Sequence, residues 1–555
     1  MSEPVSSDEY GALLDALLNP GCYPHPVGHL ERIETHISDV FLTGRYAYKL
    51  KKPVDLGFLD YSTLEKRRRF CHEELRLNRR LASELYLGVV SITGEPAHPH
   101  VGGQGSAIEY AVQMLQFDQS GMLERVIGRR ELSSAQVDEI GEMIAAFHSA
   151  LPPSSPDTEY GRPQAIMRPA VENFEQLLRL VARDDEECAA LRRLQQWTLA
   201  QHARLEQLFE GRWRDGFVRE CHGDLHLGNM VLIDRRIRIF DCIEFNAQLR
   251  WIDVMSEVAF LTMDLIRHER PDFAYRFLDR YLQITGDYRG VQLLRYYIIY
   301  RALVRAKVAA IRATQPGVDP QTRRSLREKC RAHVMHARDE TEAARPRLVI
   351  LHGLSGSGKT VVSQALLESV GAIRIRSDVE RKRLHGMSPA ARSESHVGAG
   401  IYTAQAGSAT YNRLTELADL ALDAGYPVLV DAAFLKRAQR EQLCDLAHAK
   451  RVPFAILHTQ ASEATLRRRI SQRAAAGIDA SEASASVLDW QLANQEPLTE
   501  AERAVSFSCD TEREDPDAAV KQARQLFQQL ITPSPDRSGG EGLAQHGSCS
   551  TKSRT

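Results

Sequence analysis

A chain of 555 residues is too long for one hydrophobic core and implies roughly two to four domains. Its 43% hydrophobic and 26% charged residues are ordinary for a globular protein, and a formal net charge of -2 excludes the strongly basic field of nucleic-acid or membrane-surface binders. No apolar run reaches the about 18 residues of a membrane span. The acidic start MSEPVSSDEYGALLDALL has no basic leader region, and nine scattered cysteines without a C-x-x-C pair fit reduced thiols, so neither membrane nor nucleic acid is an expected partner and a cytoplasmic location is expected.

In chain order, a helical pattern from Glu9 to Leu18 is broken between Pro20 and Pro26. Alternation then predicts one strand over Ile33–Leu42, a turn at Thr43-Gly44-Arg45 and a second strand from Tyr46 to Leu50, which carries Lys49 beside Lys51 and Lys52. Leu64–Leu85 reads as a long charged helix with Leu75, Leu77 and Leu81 inward and Glu73 and Glu74 available. Strands are expected at Val89–Thr93 and Ile108–Phe117 around a glycine-rich turn at Gly102–Gly105, then helices over Leu132–Ala150 and Val171–Phe209.

The stretch from Glu220 to Phe245, ECHGDLHLGNMVLIDRRIRIFDCIEF, concentrates groups suited to magnesium-bound phosphate. Asp224 lies in a His-Gly-Asp-Leu-His loop, Asn229 follows it, and Asp241 ends the apolar run Ile237, Ile239, Phe240. Phosphoryl transfer needs a carboxylate to orient the attacking hydroxyl and oxygen ligands that hold magnesium against the nucleotide. This H-G-D-x-H-x-x-N motif followed by D-x-x-E-F resembles the catalytic core of aminoglycoside phosphotransferases and related small-molecule kinases. The resemblance implies an α+β protein-kinase-like domain, with Asp224 as catalytic base, Asn229 and Asp241 as magnesium ligands, and His222 bracing the loop. It also implies that Lys49 grips the α- and β-phosphates, that a helix glutamate (Glu74 rather than Glu73) pairs with that lysine, and that Met114-Leu115-Gln116 links the lobes beside the adenine. Asp253 is expected to cap and brace the catalytic loop. Buried packing is expected of Cys221 and Cys242.

Beyond Phe245 the chain is helical to about Arg338, and from Tyr296 to Lys307 it alternates aromatics with bases. Two readings stand for that stripe: the lining of a pocket for an anionic acceptor, or a core helix with snorkelling bases. Residues 339–346 read as a linker.

Leu348-Val349-Ile350-Leu351 then runs into Gly353-Leu354-Ser355-Gly356-Ser357-Gly358-Lys359-Thr360, a full G-x-x-x-x-G-K-S/T phosphate-binding loop between a buried strand and a helix. Its glycines let backbone N–H groups wrap phosphate, Lys359 reaches the β- and γ-phosphates, and Thr360 binds magnesium. Further strands end in Asp378 and Asp431, and an arginine-rich helix follows, carrying Arg469 and Arg473. Alternating strands and helices imply an α/β P-loop domain with a parallel sheet. The module resembles small P-loop kinases of the gluconate kinase, chloramphenicol phosphotransferase and zeta-toxin type. That resemblance implies that Asp378 meets the acceptor hydroxyl, that Arg469 and Arg473 meet the transferred phosphate, and that Asp431 is a water-mediated magnesium partner. The tail 533–555 is Gly/Ser-rich and expected to be disordered.

From about Val27 to Leu530 the whole chain resembles a bacterial two-domain family that joins an aminoglycoside phosphotransferase-like kinase (1–338) to a P-loop domain (347–532). The expected function is an ATP- and Mg2+-dependent phosphotransferase with two nucleotide sites acting on small hydroxylated acceptors. An alternative is one kinase controlled by a P-loop switch. Because the C-terminal part of the first domain is rich in arginine, a neutral or anionic acceptor suits it better than a polyamine.

Overall fold

The computed structural model describes residues 7–512, apart from 36, 58, 182–184, 316, 343–345, 394–399 and 477–483, together with 521, 524 and 525. The expected disordered tail lies outside the described residues. The chain divides into two compact units, Met1–Ala344 and Arg345–Thr555. The last helix of the first unit, Pro320–Thr341, runs into the stretch expected as linker.

The first unit opens on a six-stranded antiparallel sheet of β1 (Glu31–Glu34), β2 (Ser38–Leu42), β3 (Tyr46–Lys51), β4 (Tyr86–Glu95), β5 (His98–Val101) and β6 (Ala107–Leu115), in the order β1-β2-β3-β6-β4-β5. Ile33–Leu42, expected as one strand, is two. Thr35 Oγ1 accepts the Ser38 N–H at 2.9 Å and the Thr35 N–H donates to Ser38 O at 2.9 Å, a side-chain turn that reverses the chain. The strand β5 was also unforeseen, because the alternation of its four residues is too short to read.

In the middle of the sheet, β3 is buried on both faces from Ala47 to Lys51. Lys49 and Lys51, two residues apart, therefore share one buried face. The helix Leu64–Ala82, capped by Thr63, packs on β4 and β6 through Cys71 and Leu75 and turns Glu74 inward.

Helices make up most of the rest of the unit. Val171–Phe209, expected as one helix, is two: Pro163–Leu180 and Asp185–Arg214. At the centre lies Val254–Arg267, buried from Val254 to Leu265, with Val291–Thr314 packed on it. Arg212, fully buried, donates to Asp253 Oδ2 at 2.7 Å and to Asp287 Oδ1 at 2.6 Å, joining the start of that central helix to the turn before Val291–Thr314.

The second unit is a five-stranded, all-parallel sheet in the order Ile373–Arg376, Val428–Asp431, Leu348–His352, Phe454–Gln460, Ser506–Asp510. The central strand Leu348–His352 is buried at every residue, as a strand covered on both faces must be. Among the described residues no helix is long and apolar enough to cross a membrane.

Replacing Arg212 by Met leaves Asp253 and Asp287 as uncompensated buried charges, and should cost the first unit about 3–5 kcal/mol. Denaturant unfolding of the full chain measures it. An unchanged midpoint would remove this triad from the stability of the fold.

Candidate functional site

The catalytic segment leaves the strand Val218–Glu220 and turns through His222, Gly223 and Asp224. Its conformation is held by carboxylates from the central helix. Glu257, fully buried, accepts the Gly223 N–H at 2.6 Å and the His222 N–H at 3.1 Å, while Asp264 accepts the Leu227 N–H at 2.8 Å. From the other side His148 Nε2 donates to Glu257 at 2.9 Å, and His148 Nδ1 lies 3.0 Å from the Tyr281 hydroxyl. Burial pushes the Glu257 carboxyl up, but the hydrogen bond and charge of His148, the nearby His222 and the backbone N–H of Gly223 outweigh it and bring it down to about 2. His148, Cys221 and Glu257 place potential metal ligands within 4.8 Å of one another. Both Glu257 oxygens and both His148 nitrogens are already engaged, which makes the cluster a brace.

This corrects the role expected of Asp253. It caps the helix Val254–Arg267 by accepting the Met255 N–H at 2.8 Å and pairs with Arg212, but the carboxylate that grips the catalytic loop is Glu257, one helical turn on. His222 does brace the loop: its Nδ1 accepts the Asp224 N–H at 3.3 Å and its Nε2 donates to Phe240 O at 2.8 Å.

Asp224 is set by its neighbours. His226 Nδ1 accepts the Gly228 N–H at 3.0 Å, so the neutral ring carries its proton on Nε2, which donates to Asp224 Oδ2 at 3.2 Å. Asn229 Nδ2 donates to the same oxygen and to the Asp224 carbonyl, each at 2.9 Å, so the amide oxygen of Asn229 is what it offers a ligand. Burial pushes the Asp224 carboxyl up, yet His226, Arg305 and His222 together hold it far below the usual carboxylate range.

The hairpin Met230–Ile233/Arg236–Ile239 turns through Asp234 and Arg235, both with positive φ, and returns the chain to Asp241. Asp241 itself has φ 64°, a backbone state uncommon for a non-glycine residue, and its N–H donates to the Tyr86 hydroxyl at 3.2 Å. Lys49 Nζ pairs with Glu74 at 2.9 Å and also with Asp241. The pairing falls on Glu74; Glu73 is taken by Arg76 and Arg250. Sequence reasoning missed a second lysine: Lys51 Nζ reaches the other Glu74 oxygen at 2.7 Å and pairs with Glu244, which also accepts from the Tyr61 hydroxyl. The period-two spacing of Lys49 and Lys51, which puts both on one face of the strand, was a signal for it. Burial disfavours the charge on Lys49, but Asp241 and Glu74 outweigh it and raise its pKa well above normal. Met114 and Leu115 are still in β6; Gln116 follows, its side chain accepting the Gly44 N–H at 2.8 Å.

Two aromatics of the stripe are core, and two of its bases turn to the segment around Gly223 and His226. Tyr296 and Tyr297 are core, packed on Phe209. Arg301 and Arg305, one turn apart, face the catalytic loop: Arg301 donates to Gly223 O at 2.9 Å and Arg305 Nη1 lies 3.2 Å from His226 Nε2.

In the second unit the phosphate-binding loop joins the central strand to the helix Lys359–Val370. A Cβ at Gly353 would come within 2.6 Å of Thr459 O, and Gly358, at φ 86°, makes the entry to the helix. Lys359 Nζ donates to the carbonyls of Gly353 and Leu354 at 2.8 and 2.9 Å. The Ser355 N–H donates to Gln491 Oε1 at 2.8 Å, and the Ser357 hydroxyl is turned onto Thr459 at 2.7 Å. Parallel register sets Asp431 opposite Leu351, where its Oδ2 accepts from the Ser363 hydroxyl at 3.1 Å.

A cavity of about 830 Å³ spans this loop; Lys359, Thr360, Arg376, Asp378, Asp431 and Arg469 all reach it, as do Ser355, Gly356 and Gly358. Asp378 stands in the first turn of Ser377–Leu384. Arg469 donates to Gly356 O at 3.3 Å and to Thr511 Oγ1 at 2.9 Å, so it is fastened to the loop backbone. Arg473 belongs to the helix Glu463–Ala476, and its side chain lies outside the described residues.

A model of the phosphotransferase enzyme family matches residues 65–294, and a model of an AAA domain matches residues 348–498. An uncharacterized protein of Mycobacterium tuberculosis is 30% identical over 498 residues, spanning 87% of this chain and 96% of its own, and one of Mycobacterium bovis matches equally. The chain belongs to this two-domain family of an aminoglycoside phosphotransferase-like kinase joined to a P-loop domain. The family's first domain has the α+β kinase-like fold and its second the α/β P-loop fold with a parallel sheet. Similar solved structures include a gluconokinase from Sinorhizobium meliloti (22% identity, 34% of this chain and 96% of that one, TM-score 0.24). A choline kinase from Cryptosporidium parvum (9%, 57% and 89%, 0.37) and an ADP-bound aminoglycoside phosphotransferase (13%, 59% and 99%, 0.31) are also similar.

Replacing Glu257 by Gln keeps one acceptor but removes the charge that His148 and two backbone N–H groups share. We expect a loss of about 3 kcal/mol in stability and a fall in kcat at the first site with nucleotide affinity little changed. Thermal unfolding with steady-state kinetics reads both; unchanged kcat in a destabilised variant would reduce Glu257 to a purely structural role.

Proposed function

We propose that the chain is an ATP-dependent phosphotransferase with two nucleotide sites, each acting on a small hydroxylated acceptor in the cytoplasm. The observation that carries the reading is the meeting of Lys49, Glu74, Asp224, Asn229 and Asp241, from four separate stretches of sequence, around one catalytic loop. The donor set fits ATP with Mg2+. Asn229 has its amide oxygen to offer and the Asp241 side chain is 41% exposed, both hard oxygen ligands, and Lys49 is cationic beside them. In the second unit the loop around Lys359 is a cradle of backbone that side chains would fill, with Thr360 and Asp431 on its cavity.

Asp224 is the base of the first site. Its Oδ2 is pinned by His226 and Asn229, so Oδ1 is the oxygen turned to an incoming hydroxyl. The acceptor oxygen gives its proton to Oδ1 as its bond to the γ-phosphorus forms and the bond to the β-γ bridging oxygen breaks, ADP keeping that electron pair. Magnesium-bound ATP supplies the phosphoryl group and the charge neutralisation. Asn229 and Asp241 would hold the metal, and Lys49, ordered by Glu74, the α- and β-phosphates. In the second site Lys359 and Thr360 would hold the phosphates and metal, Asp431 would act on the metal through water, and Asp378 would receive the acceptor hydroxyl. Arg469 and Arg473 would stabilise charge on the transferred group. An Asp224 carboxyl held this low stays ionised across ordinary assay pH, so loss of the base by protonation is confined to strongly acidic solution.

Labelled ATP and a metabolite extract, applied to wild type, Asp224→Ala and Lys359→Ala, test the reading. Each variant should lose a different labelled product by about 10²–10⁴-fold for the base and more completely for the loop lysine. Loss of one shared product in both variants would reduce the chain to a single kinase with a controlling P-loop domain.

A further inference from the structure

Beside Asp224 stands Arg305, whose charge acts on the Asp224 carboxylate and which makes no ion pair among the described residues. Arg305 lies on Val291–Thr314 and Arg267 ends Val254–Arg267, while Pro320–Thr341, which packs along the first of these, brings Lys329 and the neutral rings of His333 and His336. Arg305 Nη1 is 3.2 Å from His226 Nε2, but that nitrogen bears the proton donated to Asp224 and has no lone pair for a second donor. Among the described residues neither Arg305 nor Arg267 makes an ion pair. A half-buried guanidinium with no carboxylate bonded to it therefore stands beside the carboxylate that an acceptor hydroxyl has to reach.

The histidines complete the argument. His333 Nδ1 and His336 Nε2 are buried atoms with no hydrogen-bond partner. Buried polar atoms without partners are rare and costly, and here two occur one helical turn apart. Burial, then Arg305, Arg267, His336 and Lys329, pushes the His333 ring down to about 3; burial and Arg267 push His336 down to about 4, opposed by Asp339. Both rings are neutral at ordinary pH, and a neutral ring can donate an N–H to an anion. Among the described residues, acidic groups here include Asp224 beside Arg305, Asp339 near His336, Asp264, which accepts the Leu227 N–H, and Glu124 next to Gly228. An acceptor bearing amines would meet like charge; a carboxylate or phosphate would satisfy Arg305 in two parallel hydrogen bonds.

We infer that the acceptor of the first kinase domain is an anion, a hydroxylated carboxylate or phosphomonoester held through its charged group by Arg305. The inference rests on the reading of Asp224 as the base. It gives this site a charge preference opposite to that of an aminoglycoside acceptor.

The test uses the full chain carrying Lys359→Ala, to silence the second phosphate loop, with magnesium and a non-hydrolysable ATP analogue. Titration calorimetry with glycerate, glycerol 3-phosphate, glycerol and ethanolamine separates carboxylate from phosphate recognition and both from neutral or cationic ligands. We expect saturable binding of at least one of the two anions and none of glycerol or ethanolamine. Arg305→Gln should weaken that binding at least about tenfold without changing affinity for the ATP analogue, and Arg305→Lys should restore part of it. Binding of ethanolamine or glycerol as tight as that of the anions would overturn the inference. So would absence of saturable anion binding, or an Arg305→Gln variant that loses the nucleotide and keeps the anion. Asp224→Asn should bind the anion and fail to transfer to it. Transfer surviving in Asp224→Asn would instead defeat the reading of the base, and leaves the anion site to stand or fall on the Arg305 variants.

Discussion

One buried glutamate holds the first kinase domain's two lobes to a single arrangement. Glu74 accepts Lys49 on one oxygen and Lys51 on the other, and each lysine continues to an acidic residue of the D-x-x-E segment, Lys49 to Asp241 and Lys51 to Glu244. Taking so many charges out of water is costly, and such a cluster persists only when every member is paired. Here signs alternate along the chain of contacts, and Tyr61 closes its end on Glu244. Sliding β3 by one residue would turn both lysines to the other face and leave Glu74, Asp241 and Glu244 unpaired together. The cluster therefore fixes strand register, helix rotation and the position of the Asp241–Glu244 segment at once.

Lys49 on its strand and Lys359 at the end of its loop, both proposed to hold phosphate, have different partners. Lys49 is clamped between carboxylates, so nucleotide phosphates would compete with Asp241 for its ammonium group while Glu74 keeps hold of it. Lys359 donates to the carbonyls of Gly353 and Leu354, within the loop it belongs to.

Contiguous chemistry was legible in the sequence and distant pairing was not. Gly353 to Thr360 and His222 to Asn229 each place their functional atoms by local backbone geometry, so spacing alone identifies them. Glu74 was separable from Glu73 by helix phase, since the residue in step with Leu77 and Leu81 points inward. Glu257 was not legible: it lies inside an apolar helix 34 residues from Gly223, and only the tertiary fold shows whose backbone it meets. Lys51 was overlooked because a lysine at a strand end is ordinarily solvated, whereas this strand is buried on both faces. The break between Leu180 and Asp185 carries neither glycine nor proline, the usual marks of a helix end.

Net charge hid the most specific property of the first site. With 71 basic and 73 acidic residues the chain is close to neutral, and neutrality says nothing about how the charges are distributed. The carboxylates of the catalytic region are spent inward: Glu257 and Asp264 on loop N–H groups, Asp253 and Asp287 on Arg212, Glu220 and Glu73 on Arg76 and Arg250. Holding the loop consumes negative charge, and Arg305 is left beside Asp224 without an ion pair among the described residues. The rigidity that positions Asp224 and the positive field that selects its partner thus share one cause, the assignment of nearly every local carboxylate to backbone or to an internal arginine.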